Sequence, residues 1–402
     1  MSKYAKVIVD VPFVKRKGAF TYKIPKKLSN NLKTGNLVLV PFGKRTIKGF
    51  VISITDKIEI NSKKIKDIKK LYKEESFFNK RDLKLYKWLA DYYSLNLISI
   101  IRAAIPTGII NNKINKKKST LIKLKSNDKE IKKAIKKLAQ KAPKQKAVLK
   151  VLLNNKNKNF NKTKLAKKAD TYAGTVNRLI EKDYLKEVEK IEIRRPFLEN
   201  KKAEEKAFIP NYYQKKAIKA IKSNITDNKN SQTFLLHGVT GSGKTEVYLQ
   251  LVEKILEEKQ GAIILVPEIA LAPVMVRKFY SRFGDKIAVL HSNLSPGERY
   301  DEWRRIKNGK AKIAIGARSA IFAPVQNLGL IIIDEEHENS YKQSSYPYYH
   351  ARDAAIKRAK IYGIPLVLGS ATPSLKSFYL AEKGYFKYLS LPERINKRNM
   401  PP

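Results

Sequence analysis

The spacing of apolar positions changes character along the chain, and each change marks a different kind of element. At the N-terminus the apolar runs are short. Val7, Val9 and Val11 alternate with Lys6, Ile8 and Asp10. Phe20-Thr21-Tyr22 leads into Ile24-Pro25, Leu37–Val40 ends at Pro41-Phe42-Gly43, and Phe50–Ile54 forms another run. Gly and Pro punctuate at short intervals, which predicts a small β-barrel or sandwich. Residues 79–105 switch to helical spacing, with Leu85, Leu89 and Tyr92 on one face, and Pro106 stops the segment. Lys and Asn dominate residues 111–142, predicting a surface linker that runs into a solvated helix. In residues 143–195 the pattern predicts a winged helix. One helix carries Val148, Leu149 and Leu152, and a second carries Leu165 and Ala169. A third runs from Ala173 to Lys182 with Val176, Leu179 and Ile180 inward, and a β wing follows through Val188, Ile191 and Ile193. The third helix stands where a recognition helix would, and equally suits a domain that only packs between its neighbours. Past residue 200, apolar strands alternate with helices: Thr233–Leu236, Ala262–Val266, Ile287–Leu290, Ile313–Ile315, Leu330–Ile333 and Leu366–Leu368. Continuous apolar strands of this kind imply a buried, mostly parallel sheet. The expected organisation is multidomain α/β: a strand-rich domain at 1–108, a Lys-rich linker at 109–142, a winged helix at 143–197 and a parallel-sheet lobe at 198–402.

Composition narrows the partners. Net charge is +48 in 402 residues, which favours a polyanion, nucleic acid first. The excess of Lys over Arg also fits an AT-rich genome, so charge alone does not name the ligand. Cysteine is absent, which excludes disulfides and thiolate zinc sites within these residues. No apolar run reaches the roughly 18 residues of a membrane span, and no signal peptide is evident. A cytoplasmic, monomeric protein without membrane contact is expected.

The chemistry is concentrated in the last lobe. Gly238-Val239-Thr240-Gly241-Ser242-Gly243-Lys244-Thr245 is a full P-loop, set between a strand and an amphipathic helix. Its glycines let backbone N–H groups wrap phosphates, Lys244 reaches the β- and γ-phosphates, and the Thr245 hydroxyl suits Mg²⁺. The strand Ile331–Ile333 ends in Asp334-Glu335-Glu336-His337. Asp334 is expected to bind Mg²⁺ and Glu335 to orient and deprotonate the attacking water. Ser370-Ala371-Thr372 follows the next strand and resembles the segment that in helicases connects the ATP site to the DNA track. Gln214, ahead of the P-loop, suits an adenine edge because an amide donates and accepts at once. Val266–Leu271 and Arg318-Ser319 are candidate phosphate contacts, and His291 reads as structural. Tyr341, Tyr346, Tyr348 and Tyr349 with Lys342 and Arg352 suit base stacking and phosphate contact, or a packed tyrosine-rich loop.

These motifs together resemble one family. GVTGSGKTEVYL, LVPEIALAP, LHSNLSPGERYDEW, IAIGARSAIFAP, IIIDEEHENSYKQ, YHARD and LGSATPS are similar to the bacterial primosomal replication-restart helicases, the PriA or primosomal protein N-prime family, collinearly from residue 4 onward. The resemblance implies an ATP- and Mg²⁺-dependent 3′-to-5′ DNA helicase of the DExH, superfamily 2 type, which recognises stalled or recombination-generated forks and restarts replication by primosome assembly. It implies RecA-like lobes, of which the first is here, and an N-terminal domain that binds the 3′ end of a nascent strand. The matching pocket positions are Phe20, Thr21, Gly43 and Lys66. Thr21 stands where an acidic residue is common, which leaves 3′-hydroxyl selection open at that point. Residues 340–353 resemble the aromatic-rich loop that couples DNA contact to hydrolysis. Implied partners are forked and single-stranded DNA with a 3′ end, single-strand-binding protein and other primosome proteins. The family continues into a second lobe with zinc sites and an arginine finger, so zinc is expected only beyond these residues. The 402 residues are therefore expected to bind nucleotide and forks but to hydrolyse ATP poorly. Two other readings stand beside this one: a nucleotide-switched fork-binding module without motor activity, and a P-loop DNA translocase of repair or restriction type.

Overall fold

The computed structural model describes residues 3–11, 18–57, 65–110, 117–155, 160–192, 208–227, 231–267 and 273–395. The chain forms two compact units, Met1–Ile114 with Pro196–Pro402, and Asn115–Arg195.

The larger unit begins with β1 (Tyr4–Val9), β2 (Ala19–Lys23), β3 (Asn36–Phe42), β4 (Arg45–Thr55) and β5 (Lys70–Ser76), an antiparallel sheet in the order β2-β1-β4-β3-β5. Ala5, Val7, Val9, Val38, Val40 and Val51 fill one side of it. Ile8, Leu37 and Phe50 fill the other, against α1 (Lys80–Tyr92) and α2 (Leu97–Ala104). With both faces covered, the alternation is broken at Ile8. The Lys23 N–H donates to the Lys66 carbonyl at 3.0 Å and the Lys69 N–H to the Leu39 carbonyl at 2.9 Å. Residues 66–69 thus tie edge strand β2 to β3 and curl the sheet toward a barrel. Asn79 and Asp82 close a reciprocal capping box at the start of α1. The buried stripe of α1 centres on Tyr86, Leu89 and Ala90. Tyr92, expected inside, therefore sits at the rim, 58% exposed and stacked on Trp88 at 4.8 Å. A short helix, α3 (Thr107–Ile110), follows Pro106.

The smaller unit comprises β6 (Lys117–Leu124), α4 (Asp128–Lys141), α5 (Pro143–Asn154), α6 (Lys162–Lys168), α7 (Ala173–Glu181) and β7 (Leu185–Glu192). Residues 117–141, expected as linker and solvated helix, are part of its fold. Strand β6 is the antiparallel partner of β7, and Ile131, Ala134 and Leu138 of α4 lie in the same core as Val148, Leu149, Leu165, Val176 and Leu179. A narrow apolar stripe suffices to bury one side of a lysine-rich helix.

The rest of the larger unit alternates α8 (Tyr212–Asp227), β8 (Thr233–Gly238), α9 (Lys244–Glu257), β9 (Gly261–Leu265), α10 (Pro273–Phe283), β10 (Ile287–Leu290), α11 (Pro296–Lys307), β11 (Ile313–Gly316), β12 (Leu328–Ile333), α12 (Ala351–Tyr362), β13 (Leu366–Ser370), α13 (Leu375–Glu382) and β14 (Lys387–Leu391). The seven strands are all parallel, in the order β10-β11-β9-β12-β13-β8-β14. Six were expected. The seventh, β14, has only Leu389 and Leu391 buried and lies at an edge, too polar to register as a buried run. Helices α8 to α10 cover one face of the sheet. Helices α11 and α12 cover the other, in a core shared with the N-terminal sheet and α1. Phe77 meets Trp303 and Tyr86 meets Phe322, with ring centroids 5.8 and 5.9 Å apart. Buried Arg358 donates to the carbonyls of Ile321 and Ala323, and lies 3.4 Å from Asp82 of α1.

Candidate functional site

The open end of the parallel sheet carries the expected motifs, because each loop leaves the C-terminal end of its strand. The P-loop leaves β8, turns through Gly241 and Gly243 at φ +81°, and enters α9 at Lys244. A Cβ on Gly243 would stand 2.3 Å from Gln214 Nε2, so glycine is required there both by φ and by space. Lys244 Nζ donates to the Gly238 carbonyl at 2.9 Å and lies 3.8 Å from Glu335 Oε1. Asp334 ends β12. Burial, then the charge of Glu335, pushes its carboxyl up to about 6, although Tyr248 and Lys244 pull the other way. Glu335 takes a positive φ of 43°, a left-handed conformation that costs a non-glycine residue roughly 1–2 kcal/mol. These groups line a cleft of about 600 Å³ together with Thr245, Phe208 and Arg394.

The cleft fits a magnesium nucleotide. Ser242 Oγ is buried without a partner in the phosphate loop. Asp334 is a carboxylate whose charge is poorly compensated, a state that a divalent cation relieves. Thr245 and Asp334 supply hard oxygen donors of the kind Mg²⁺ takes alongside phosphate and water. No group of three or more His, Asp or Glu that could hold a metal occurs among the described residues, so an ion here would need nucleotide oxygens.

Gln214 is buried against the loop. Its Nε2 donates to the Ser242 carbonyl at 2.8 Å and its Oε1 accepts from the Asn211 N–H at 2.8 Å. Only its second amide hydrogen and lone pair remain for an adenine. Ser370 meets His337 Nδ1 at 2.8 Å and receives the Thr372 N–H at 3.0 Å, and the Ala371 carbonyl meets His237 Nε2 at 3.2 Å. The two motif loops are in direct contact.

The expected DNA-facing residues divide. Tyr341 and Tyr349 are fully buried, and the Tyr341 hydroxyl donates to the Asp334 carbonyl at 2.6 Å. Arg352 is also inside, donating to Glu336 and Ser374 at 2.6 Å each. These three hold the loop from within and offer neither stacking faces nor a free cation, because their polar tips are satisfied internally. Arg318 is spent on the Ser340 and Lys342 carbonyls at 3.1 and 3.0 Å. Lys342, Tyr346 and Tyr348 face solvent. Residues 268–271 lie outside the described residues. In the N-terminal domain, Phe20 and Thr21 occupy edge strand β2, and Phe20 packs on Phe42 at 5.2 Å. Gly43 follows Phe42 in the β3–β4 turn at φ +58° with open space about it, and the Lys66 side chain is exposed beside β2.

Sequence reasoning passed over Tyr248, Glu336 and Arg282. The Tyr248 hydroxyl donates to Asp334, Glu336 accepts Arg352 and three Ser374 and Ser377 groups, and Arg282 clamps Glu246 and Glu253. The first two sit inside motifs, at positions where periodicity reads only burial. Arg282 lies in a helix with no motif.

Residues 6–106 match a family model described as a 3′ DNA-binding domain, and residues 211–379 match one described as a DEAD/DEAH box helicase. Replication restart protein PriA of Bacillus subtilis (strain 168) is 37% identical across 99% of this chain and 57% of its own length. Its counterpart from Synechocystis is 34% identical across 99% and 56%. That from Haemophilus influenzae is 50% identical across 40% and 22%. The chain thus spans rather more than half the length of the first two relatives. No helix among the described residues is long and apolar enough to cross a membrane. With the 3′ DNA-binding and helicase domains in this order, and relatives that match it end to end, the chain belongs to the PriA family of replication restart proteins.

Proposed function

We propose that the chain is the fork-binding and nucleotide-binding portion of an ATP-driven 3′-to-5′ DNA helicase that restarts replication. The observation that carries this reading is Lys244 Nζ 3.8 Å from Glu335, beside the buried Asp334 in one cleft. Lys244 leaves the Gly238 carbonyl to take the terminal phosphates. Thr245 and Asp334 would hold Mg²⁺, which would supply positive charge to the transferred phosphoryl group. Glu335 would orient the attacking water, and Gln214 would tie the adenine side to the P-loop.

Edge strand β2, the Gly43 turn and Lys66 are assigned to the 3′ end of a nascent strand. The exposed Tyr346, Tyr348 and Lys342 are assigned to single-stranded DNA. Single-strand-binding protein and primosome proteins are the expected partners in the cytoplasm.

Titration with Mg-ADP tests the reading directly. Micromolar binding is expected from the parent chain and none from Lys244→Ala, with fork binding unchanged. Equal affinity for forks with free and blocked 3′ ends would remove the N-terminal assignment.

A further inference from the structure

Tyr93 closes α1, and its hydroxyl faces the helicase lobe. It donates to Asp353 Oδ2 at 2.7 Å and accepts the His350 backbone N–H at 3.1 Å. One helix later, Ser99 Oγ of α2 meets the Tyr346 hydroxyl at 3.0 Å. Two helices of the N-terminal domain therefore grip residues 346–353.

The ATP site grips the same segment from its other side. Arg352 pairs with Glu336, the neighbour of Glu335, at 2.6 Å, and the Tyr341 hydroxyl holds the Asp334 carbonyl. Only Ala351 separates His350, which the Tyr93 hydroxyl fixes, from Arg352. His350 Nδ1 in turn accepts the Arg352 N–H at 3.2 Å. At the far end, Arg102 of α2 pairs with Asp10 at 2.5 Å, just past β1, and β1 pairs along its length with β2, which bears Phe20 and Thr21. A hydroxyl that donates once and accepts once ties the Asp353 carboxylate and the His350 backbone to the end of α1.

We propose that Tyr93 is a positioning residue that couples occupancy of the β2 edge by DNA to nucleotide binding at the P-loop, by setting where His350 and Arg352 stand. The inference rests on the functional reading above for its two ligands. Coupling between sites is reciprocal, so each ligand strengthens or weakens the other by one factor. Burial and Asp353 raise the Tyr93 pKa, so the hydroxyl stays a donor at neutral pH. Removing it leaves Asp353 3.5 Å from Lys376, so the carboxylate keeps a cation.

The experiment uses the full chain, a fluorescent ADP analogue with Mg²⁺ and a single strand with a free 3′ hydroxyl. In the parent, each ligand is expected to change the affinity of the other several-fold. In Tyr93→Phe each affinity alone stays within twofold of the parent, and the mutual effect disappears. Asp353→Asn should weaken the same coupling, and the double variant should add nothing beyond Tyr93→Phe. Intact coupling in Tyr93→Phe, or none in the parent when both ligands bind, overturns the inference alone. Failure of the parent to bind one of the ligands overturns the functional reading and the inference with it.

Discussion

The Tyr248 hydroxyl of α9 donates a 2.9 Å hydrogen bond to Asp334 Oδ1 at the end of β12. To do so it passes Gly369 on β13, where a Cβ would lie 1.7 Å from the tyrosine oxygen. The P-loop helix thereby orients the carboxylate expected to meet Mg²⁺, across an intervening strand that must be glycine at that point.

Tyr248→Phe should therefore weaken Mg-ADP more than ADP in EDTA. A hydrogen bond to a charged group is worth about 1.5–3 kcal/mol, so the Mg²⁺-dependent part of the affinity should fall roughly tenfold or more. Calorimetric titration with and without Mg²⁺ measures it, and equal losses in both would assign Tyr248 to packing alone.

Asp334→Asn should stabilise the ligand-free chain. The folded pKa, near 6, lies above the ordinary 3.8, so the native state binds its proton more tightly than the unfolded state. Stability from this group therefore falls as pH rises between these values, and the full penalty, on the order of 2–3 kcal/mol, applies above pH 6. In EDTA the variant should melt higher than the parent at pH 8 and gain much less at pH 4.5. The same gain at both would refute the assignment.

Arg352→Ala should destabilise the lobe rather than merely remove a phosphate contact. It strips the cation from buried Glu336, and breaking a buried pair on one side costs about 3–5 kcal/mol. Adding Glu336→Gln should recover part of that loss in urea denaturation. A stable Arg352→Ala whose DNA binding loses one unit of salt dependence would instead put the guanidinium on a phosphate.

Gly243→Ala should abolish nucleotide binding with little change in the melting of the remaining lobe. The new methyl needs the space of Gln214 Nε2 and a φ of +81°, and both strains fall on the P-loop. Unchanged Mg-ADP affinity would show that the loop relaxes freely.

The order of motifs, the parallel sheet and the P-loop context were legible in the chain itself. Buried parallel strands are apolar throughout, and a phosphate loop demands fixed residue types at fixed spacing. Edge strand β14 and helix α4 were not, because an edge strand needs few apolar residues and α4 hides a thin stripe among lysines. Nor could local pattern say which tyrosines of residues 340–353 face inward. The same ring suits a base or a core, and only the neighbours brought up by the fold decide. Tyr341 and Tyr349 went inside because Asp334 and Phe322 meet them there. Tyr93, Tyr248, Glu336 and Arg352 took their roles from contacts between distant segments, which no spacing along one strand or helix encodes.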